Sequence, residues 1–451
     1  MKIWHPTLLL ALAACGGKDD DDTETQVGPD PDPVPDTYDT GGPTSDADNS
    51  IDAATPLMFD LDVDGVISPA GDVDWYTVTV DEPTWIRVDT VTQGDRAENL
   101  DTAVRVWAPD GGGIYAFMDN YATGTVGTYD TILYAYLDEP GTWGLTVEDV
   151  FTFYDGYESY VRGGRDFTYT VGVSRFTGTT SEPDSAAEPS SGILLESGSS
   201  IFAVGVNIET PGDIDYIALE TSLAGYPLEV WGSIGNTGSD LASRVRLLDP
   251  DGTLIAQKDD VGPGGKLSYF DPDAGIFTVE ISDADGGGGP SSWFVAYMRT
   301  YDDDFVSADF GTAVYETEIE PNDLADNALF SPTFESPIFD TFADVSAVQG
   351  TISAAGDVDW FGIPVDTPDD RFSIRCFTEE FGSLLDLRVT AEFEGDEIAT
   401  STDVGDNFYY ILDVPVAGPG NVRVKIESES GQGSPAAYYR CRLITADFDI
   451  Y

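Results

Sequence analysis

The pentapeptide Gly71-Asp72-Val73-Asp74-Trp75 returns as Gly212-Asp213-Ile214-Asp215-Tyr216 and again as Gly356-Asp357-Val358-Asp359-Trp360. The copies stand about 140 residues apart, so one fold unit of ordinary domain size is repeated along the chain. Each copy reads as a turn that feeds a strand. The glycine supplies backbone angles closed to other residues, and the two short acids cap the turn. The aromatic residue then opens an alternating run such as Trp75-Tyr76-Thr77-Val78-Thr79-Val80.

The stretches around each copy repeat the same plan. In the first unit, strands are predicted at Trp85 to Asp89, Leu100 to Trp107, Thr131 to Leu137, Gly144 to Val147 and Phe167 to Val173, with a turn at Ala108-Pro109-Asp110-Gly111. The second has Leu228 to Trp231, Arg244 to Leu248, Lys266 to Phe270, Gly275 to Ile281 and Trp293 to Met298. The third has Phe372 to Phe377, Leu385 to Phe393, Phe408 to Leu412, Asn421 to Ile426 and Tyr438 to Ile444. Short alternating strands, frequent turns and no helical period predict an all-β chain of three tandem antiparallel β-sandwiches, jelly-roll-like, over residues 45–177, 178–314 and 315–451. The 48 glycines and 27 prolines serve the turns such a fold needs.

Ahead of these units, Lys2, the apolar run Thr7 to Ala14 and the box Leu12-Ala13-Ala14-Cys15 read as a signal peptide over 1–14, too short to span a bilayer. The box resembles the bacterial lipoprotein signal, which implies a lipid on Cys15 and a membrane tether. Residues 15–44 form an acidic, proline-rich spacer expected to be extended and disordered. Its Asp39-Thr40-Gly41 matches the aspartic-protease tripeptide, but no second copy exists to complete such a site.

The formal net charge of -63 repels polyanions and argues against nucleic acid as a partner. The single histidine, His5, falls in the signal segment, so a mature chain has no Ser-His-Asp triad, Cys-His pair or His-ligated zinc.

A further order runs through the repeats. Glu320-Pro321-Asn322-Asp323 precedes the Gly-Asp-x-Asp-aromatic motif; a Leu-Asp strand with a Pro-Asp-Gly or Glu394-Gly395-Asp396 turn follows, and Ala-Gly comes before a last strand pair. This order resembles the bacterial pre-peptidase C-terminal domain, a family that includes the collagen-binding domains of clostridial collagenases. The likeness is best in the third unit and weakest in the second, where Tyr216 replaces tryptophan and the opening reads Glu182-Pro183-Asp184-Ser185. It implies a non-catalytic accessory β-sandwich and, in some members, Ca²⁺ bound at the N-terminal segment.

Carried over residue by residue, the resemblance implies calcium ligands at Glu318, Glu320, Asn322, Asp323, Asp357 and Asp359 in the third unit. A reduced set remains at Asp46, Asp48, Asn49, Asp72 and Asp74 in the first. The alternative is that these acids cap turns and stay solvated. Cys376 and Cys441 lie in predicted strands of one sandwich and are expected to form a structural disulfide in a secreted chain.

The first unit carries an insertion the others lack: Phe151, Phe153, Tyr154, Tyr157 and Tyr160, followed by Arg162 and Arg165. Tyrosines with arginine suit protein or sugar recognition, with Tyr154, Tyr157, Tyr160, Arg162 and Arg165 as candidate binding residues. The competing reading is a long hairpin whose aromatics pack on the sheet. Paired carboxylates could serve a glycosidase, but every pair recurs at a turn, which suits fold chemistry better. The sequence therefore reads as a lipid-anchored extracytoplasmic protein of the bacterial envelope that binds extracellular protein or polysaccharide without catalysis. A structural spacer of the envelope is the alternative, and a carboxylate hydrolase a more distant one.

Overall fold

The computed structural model describes residues 50–93, 100–109, 113–118, 130–154, 160–180, 190–195, 201–221, 228–232, 237–260, 266–269, 275–300, 316–317, 324, 328–330, 334–338, 341–365, 371–378, 382–402 and 409–446. The chain divides into two compact units, Met1–Gly42 and Pro43–Tyr451, and every described residue falls in the second. The expected signal peptide, Cys15 and the spacer lie outside the described residues.

The described strands form six sheets, in three successive facing pairs. The first pair joins Thr55–Pro56, Val73–Val80, Gly141–Asp149, Thr102–Trp107 and Ile114–Met118, in that order, and sets against them Val63–Val66, Thr168–Arg175, Thr84–Gln93 and Ile132–Leu137. The second repeats the order with Ser190–Leu195, Ile214–Thr221, Gly275–Asp283, Ser243–Leu248 and Leu254–Asp259, facing Phe202–Asn207, Trp293–Thr300, Leu228–Gly232 and Lys266–Tyr269. The third does so with Leu329–Phe330, Val358–Val365, Gly420–Ser428, Leu387–Phe393 and Asp396–Thr402. Its facing sheet runs Glu316–Thr317, Thr341–Thr351, Tyr438–Ala446, Arg371–Phe377 and Tyr409–Pro415, with Phe334–Ile338 also paired to Thr341–Thr351.

The chain is thus nearly all β and sandwich-like, as its alternation requires. In Val73–Val80 every second residue is buried, which puts Tyr76, Val78 and Val80 into the core and leaves Trp75, Thr77 and Thr79 on the outer face. The antiparallel expectation needs one amendment. Each motif strand takes a short parallel partner on its outer edge: Thr55–Pro56, Ser190–Leu195 and Leu329–Phe330. A parallel pair needs a crossover, and in the first unit the chain makes it through the opposite sheet at Val63–Val66.

Several strands went unread in the sequence, among them Val63–Val66, Phe202–Asn207 and Thr341–Thr351, and in every unit the hairpin partner that ends its sheet: Ile114–Met118, Leu254–Asp259 and Asp396–Thr402. The third hairpin turns through Glu394 and Gly395, both at positive φ, 54° and 89°.

Each sandwich has its own apolar core, and the first core does not end at its own sheets. Trp293, Val295 and Tyr297 of the second sandwich belong to it, packed against Trp85 and Tyr115. By contrast, among the described residues the third sandwich contributes Tyr438 alone to the second core. Cys376 and Cys441 are buried opposite each other on adjacent strands, Cα atoms 4.0 Å apart, and joined by a disulfide.

Candidate functional site

The three motif turns share one geometry. Gly71, Gly212 and Gly356 sit at φ +82°, +85° and +82°, where any side chain would be strained. The first acid clamps the turn in every copy. Asp72 accepts from the Ser68 and Val73 amides at 3.0 and 3.1 Å, Asp213 from Glu209 and Ile214 at 3.0 Å each, and Asp357 from Ser353 and Val358 at 2.6 and 3.0 Å.

The second acid of each copy, Asp74, Asp215 or Asp359, is buried. Tyr169 donates its hydroxyl to Asp74 and shares a 2.8 Å hydrogen bond with Tyr76, while Tyr439 donates to Asp359 at 2.6 Å. Burial first, and then the neighbouring Tyr76 and Asp74, hold the Tyr169 phenol well above its usual range, so it stays a donor. Gly65 leaves the room: a Cβ there would lie 2.3 Å from the Tyr169 ring. Opposite Gly205, the cross-strand neighbour is Val295, where Gly65 and Gly350 face Tyr169 and Tyr439, so the second copy lacks this tyrosine.

Calcium takes six to eight oxygens. Of the acids the resemblance assigns, Asp357 carries the turn amides together with the Ser353 hydroxyl, and Asp359 is buried under Tyr439. Asp72 and Asp74 stand likewise in the first unit. Glu318, Glu320, Asn322, Asp323, Asp46, Asp48 and Asn49 lie outside the described residues. Among the described residues, no three histidine, cysteine, aspartate or glutamate side chains gather as a metal-binding group.

The aromatic insertion is built from the end of the strand Gly141–Asp149. Asp149 caps a one-turn helix, Val150–Phe153, by accepting from the Phe151 amide at 3.1 Å. Arg162 returns to the same buried carboxylate, Nε to Oδ1 at 3.3 Å and Nη2 to Oδ2 at 2.8 Å, with its guanidinium 4.5 Å from the Phe151 ring centre. Beside it Arg105 pairs with buried Glu148, donates to the Phe153 carbonyl at 2.7 Å and stacks 3.9 Å over the Phe153 ring. Burial raises the Glu148 carboxyl above its usual range, and the Arg105 charge opposes it only in part.

The insertion is also stitched to the motif turn. The Gly71 amide donates to the Arg162 carbonyl at 3.2 Å, and Gly163 crosses the turn so closely that a Cβ would fall 2.6 Å from Ala70 Cα. Of the candidate binding residues, Arg162 is thus committed inward, Tyr154 is half-buried against Phe153, and Tyr157 lies outside the described residues. Arg165 and Tyr160 face solvent; Tyr160 is 62% exposed, 6.1 Å from the Phe151 ring. The residues that hold this platform, Arg105, Glu148 and Asp149, were not singled out in the sequence. Their signal was an acid pair ending a strand immediately before Val150-Phe151-Thr152-Phe153.

No family model and no curated protein matches this chain. Among solved structures, the pre-peptidase C-terminal domain of a collagenase from Bacillus anthracis covers 27% of this chain and 93% of its own, at 16% identity and TM-score 0.19. Tripeptidyl peptidase 2 covers 86% of this chain, at 10% identity and TM-score 0.21, and this chain spans 32% of it. The M60 catalytic domain with two CBM51 domains from Clostridium perfringens ZmpB covers 79% of this chain and 54% of its own, at 11% identity and TM-score 0.18. Likenesses of that strength assign neither a family nor an activity.

Proposed function

We propose that this chain is a non-catalytic extracytoplasmic protein, lipid-anchored through Cys15, whose first sandwich binds an extracellular protein or polysaccharide at the Tyr160 platform. The observation that carries the reading is an aromatic side chain held 62% in solvent on a braced base. Phe151 lies beneath it, and the Arg162–Asp149 pair fixes Phe151. A rigid, exposed tyrosine offers contact area at little cost in ordering, as recognition surfaces require. The non-catalytic reading is supported by the engagement of the acids: those at the motif turns clamp backbone, and Glu148 and Asp149 pair with arginines.

Calcium belongs to this proposal through Glu318, Glu320, Asn322, Asp323, Asp357 and Asp359. The proposed attachment rests on the lipid at Cys15; among the described residues no helix is long and apolar enough to cross a membrane. The spacer alternative draws support from the core shared by the first two sandwiches. An array of glycans and matrix proteins, probed with the whole chain with and without Ca²⁺, separates the two. The binding reading expects a ligand whose signal falls at least about tenfold in Tyr160→Ala with an unchanged melting temperature. A chain that captures nothing on the array is a spacer.

A further inference from the structure

At both junctions a bend of the later sandwich meets the hairpin edge strand of the earlier one, with the backbone donor on the bend at the first and on the edge strand at the second. At the first, the hairpin edge strand Ile114–Met118 of the first sandwich receives a bend of the second: the Gly238 amide donates to the Tyr115 carbonyl at 2.8 Å, and the Thr237 hydroxyl to the Ile114 carbonyl at 2.6 Å. At the second, the edge strand Leu254–Asp259 of the second sandwich receives the matching bend of the third, the Gln257 amide donating to the Gly382 carbonyl at 2.8 Å.

Both bends are glycine followed by serine, three residues ahead of Leu241 and Leu385. Each serine closes its own bend: Ser239 accepts from the Leu241 amide at 3.2 Å and donates to the Trp293 carbonyl, and Ser383 does the same with Leu385 at 3.2 Å and Ala436. The glycines are required. A Cβ on Gly238 would lie 2.2 Å from the Tyr115 ring, and Gly382 sits at φ +95° with Leu267 only 3.1 Å from where its Cβ would be.

The third sandwich presents the same edge in Asp396–Thr402. Cross-strand pairing places Ala116, Ala256 and Ala399 at one position, each beside the extra residue that its own strand carries at a bulge, Tyr115, Ile255 and Ile398. Ala116 and Ala256 are buried at 2% and 0%, and Ala399, with Ile398 beside it, is only partly buried. Thr400 stands where Gln257 turns its amide outward to Gly382.

We propose that the edge strand Asp396–Thr402 is the docking site for a partner sandwich of this design, which lays a glycine-serine bend against Ala399 and Thr400. Backbone pairing at a sheet edge supplies the contact, and continuity with the two existing junctions supplies its geometry. Asp396 and Glu397 flank the site, so the partner is neutral or basic there. A second copy of this chain is poorly equipped. Three residues ahead of Leu100 it has Ala97-Glu98, a Cβ where glycine is needed and one more acid on a chain of net charge -63.

The test installs the missing bend. Sedimentation velocity on the whole chain, in about 0.5 M salt to screen repulsion, compares wild type with Ala97→Gly/Glu98→Ser. Wild type stays monomeric, and the double variant forms concentration-dependent head-to-tail chains. Adding Thr400→Pro removes the outward amide together with the hydroxyl's bonds to Thr390 and the Val389 carbonyl, and Ala399→Lys charges the covered position. Each weakens assembly at least about tenfold, whereas Thr400→Val, which loses the same hydroxyl and keeps the amide, assembles as the double variant does. The proposal is overturned if the double variant stays monomeric at several hundred micromolar, or if its assembly ignores both edge substitutions. It is overturned in its choice of partner if wild type itself assembles through this edge.

Discussion

The junction between the first and second sandwiches and that between the second and third both set a bend against a hairpin edge strand and differ in what surrounds it. At the first, Trp293 stacks on Tyr115 at 5.7 Å, meets Trp85 edge-on at 5.8 Å and donates its indole N–H to the Tyr115 hydroxyl at 3.0 Å. Trp231, Tyr134 and Phe176 extend the cluster through Tyr297. At the second, Tyr438 meets Tyr269 edge-on at 5.4 Å and donates to the Ser268 carbonyl at 2.8 Å. One backbone contact sets geometry, and the apolar area beside it sets whether two sandwiches unfold together.

Calorimetry of the whole chain is therefore expected to show the first and second sandwiches melting as one transition and the third as another. Trp293→Ala carries the largest effect, about 3–5 kcal/mol, and it splits the joint transition in two; a single unshifted transition would show that the shared core does not couple them. Reducing the Cys376–Cys441 disulfide, which closes a loop of 65 residues, costs about 4 kcal/mol. That loss appears in the third sandwich's transition alone. Gly205→Ala drives a methyl to within 2.8 Å of the Trp85 ring and costs about 1–3 kcal/mol, lowering the joint transition only. Tyr438→Phe removes one hydrogen bond at the smaller junction, about 1 kcal/mol, and moves the third transition only slightly.

Acid should act on the second sandwich in a way that sharpens the same contrast. Burial alone would raise the Glu229 carboxyl, but Lys266 and Arg299 outweigh it and hold the group below its usual range. A depressed acid contributes stability that is complete above its unfolded value of about 4.3 and lost as pH falls through the folded one. Glu229→Gln should remove that group's share of the acid-side loss, read as a melting temperature that declines less steeply below about pH 4 than that of wild type.

Much of this architecture was legible in the residues. The repeated Gly-Asp-x-Asp-aromatic motif announced a turn and a strand, and the turn is built in part as read: glycine sits at positive φ and the first acid holds the backbone amides, but the second acid, expected to cap the turn as well, is buried, in the first and third copies against a tyrosine hydroxyl. Alternation located the central strands of each sheet, because one buried face forces every second residue apolar. The hairpin edges were missed because strands such as Asp396–Thr402 carry little alternation and begin on charged residues. The insertion was legible only in composition. That Arg162 turns inward to Asp149 while Tyr160 turns out depends on the strand Gly141–Asp149 ending beside Arg105 and the motif turn.

The repeat, the turn chemistry and the all-β class were settled by the order of residues alone, since each rests on contacts a few positions apart. Which aromatics would become core, which acids would be neutralised by arginine and which edge strands would receive a neighbouring bend were decided only in the tertiary structure. Those outcomes join residues separated by 13 positions, as with Asp149 and Arg162, up to 178, as with Tyr115 and Trp293, and local pattern carries no record of which partner is met.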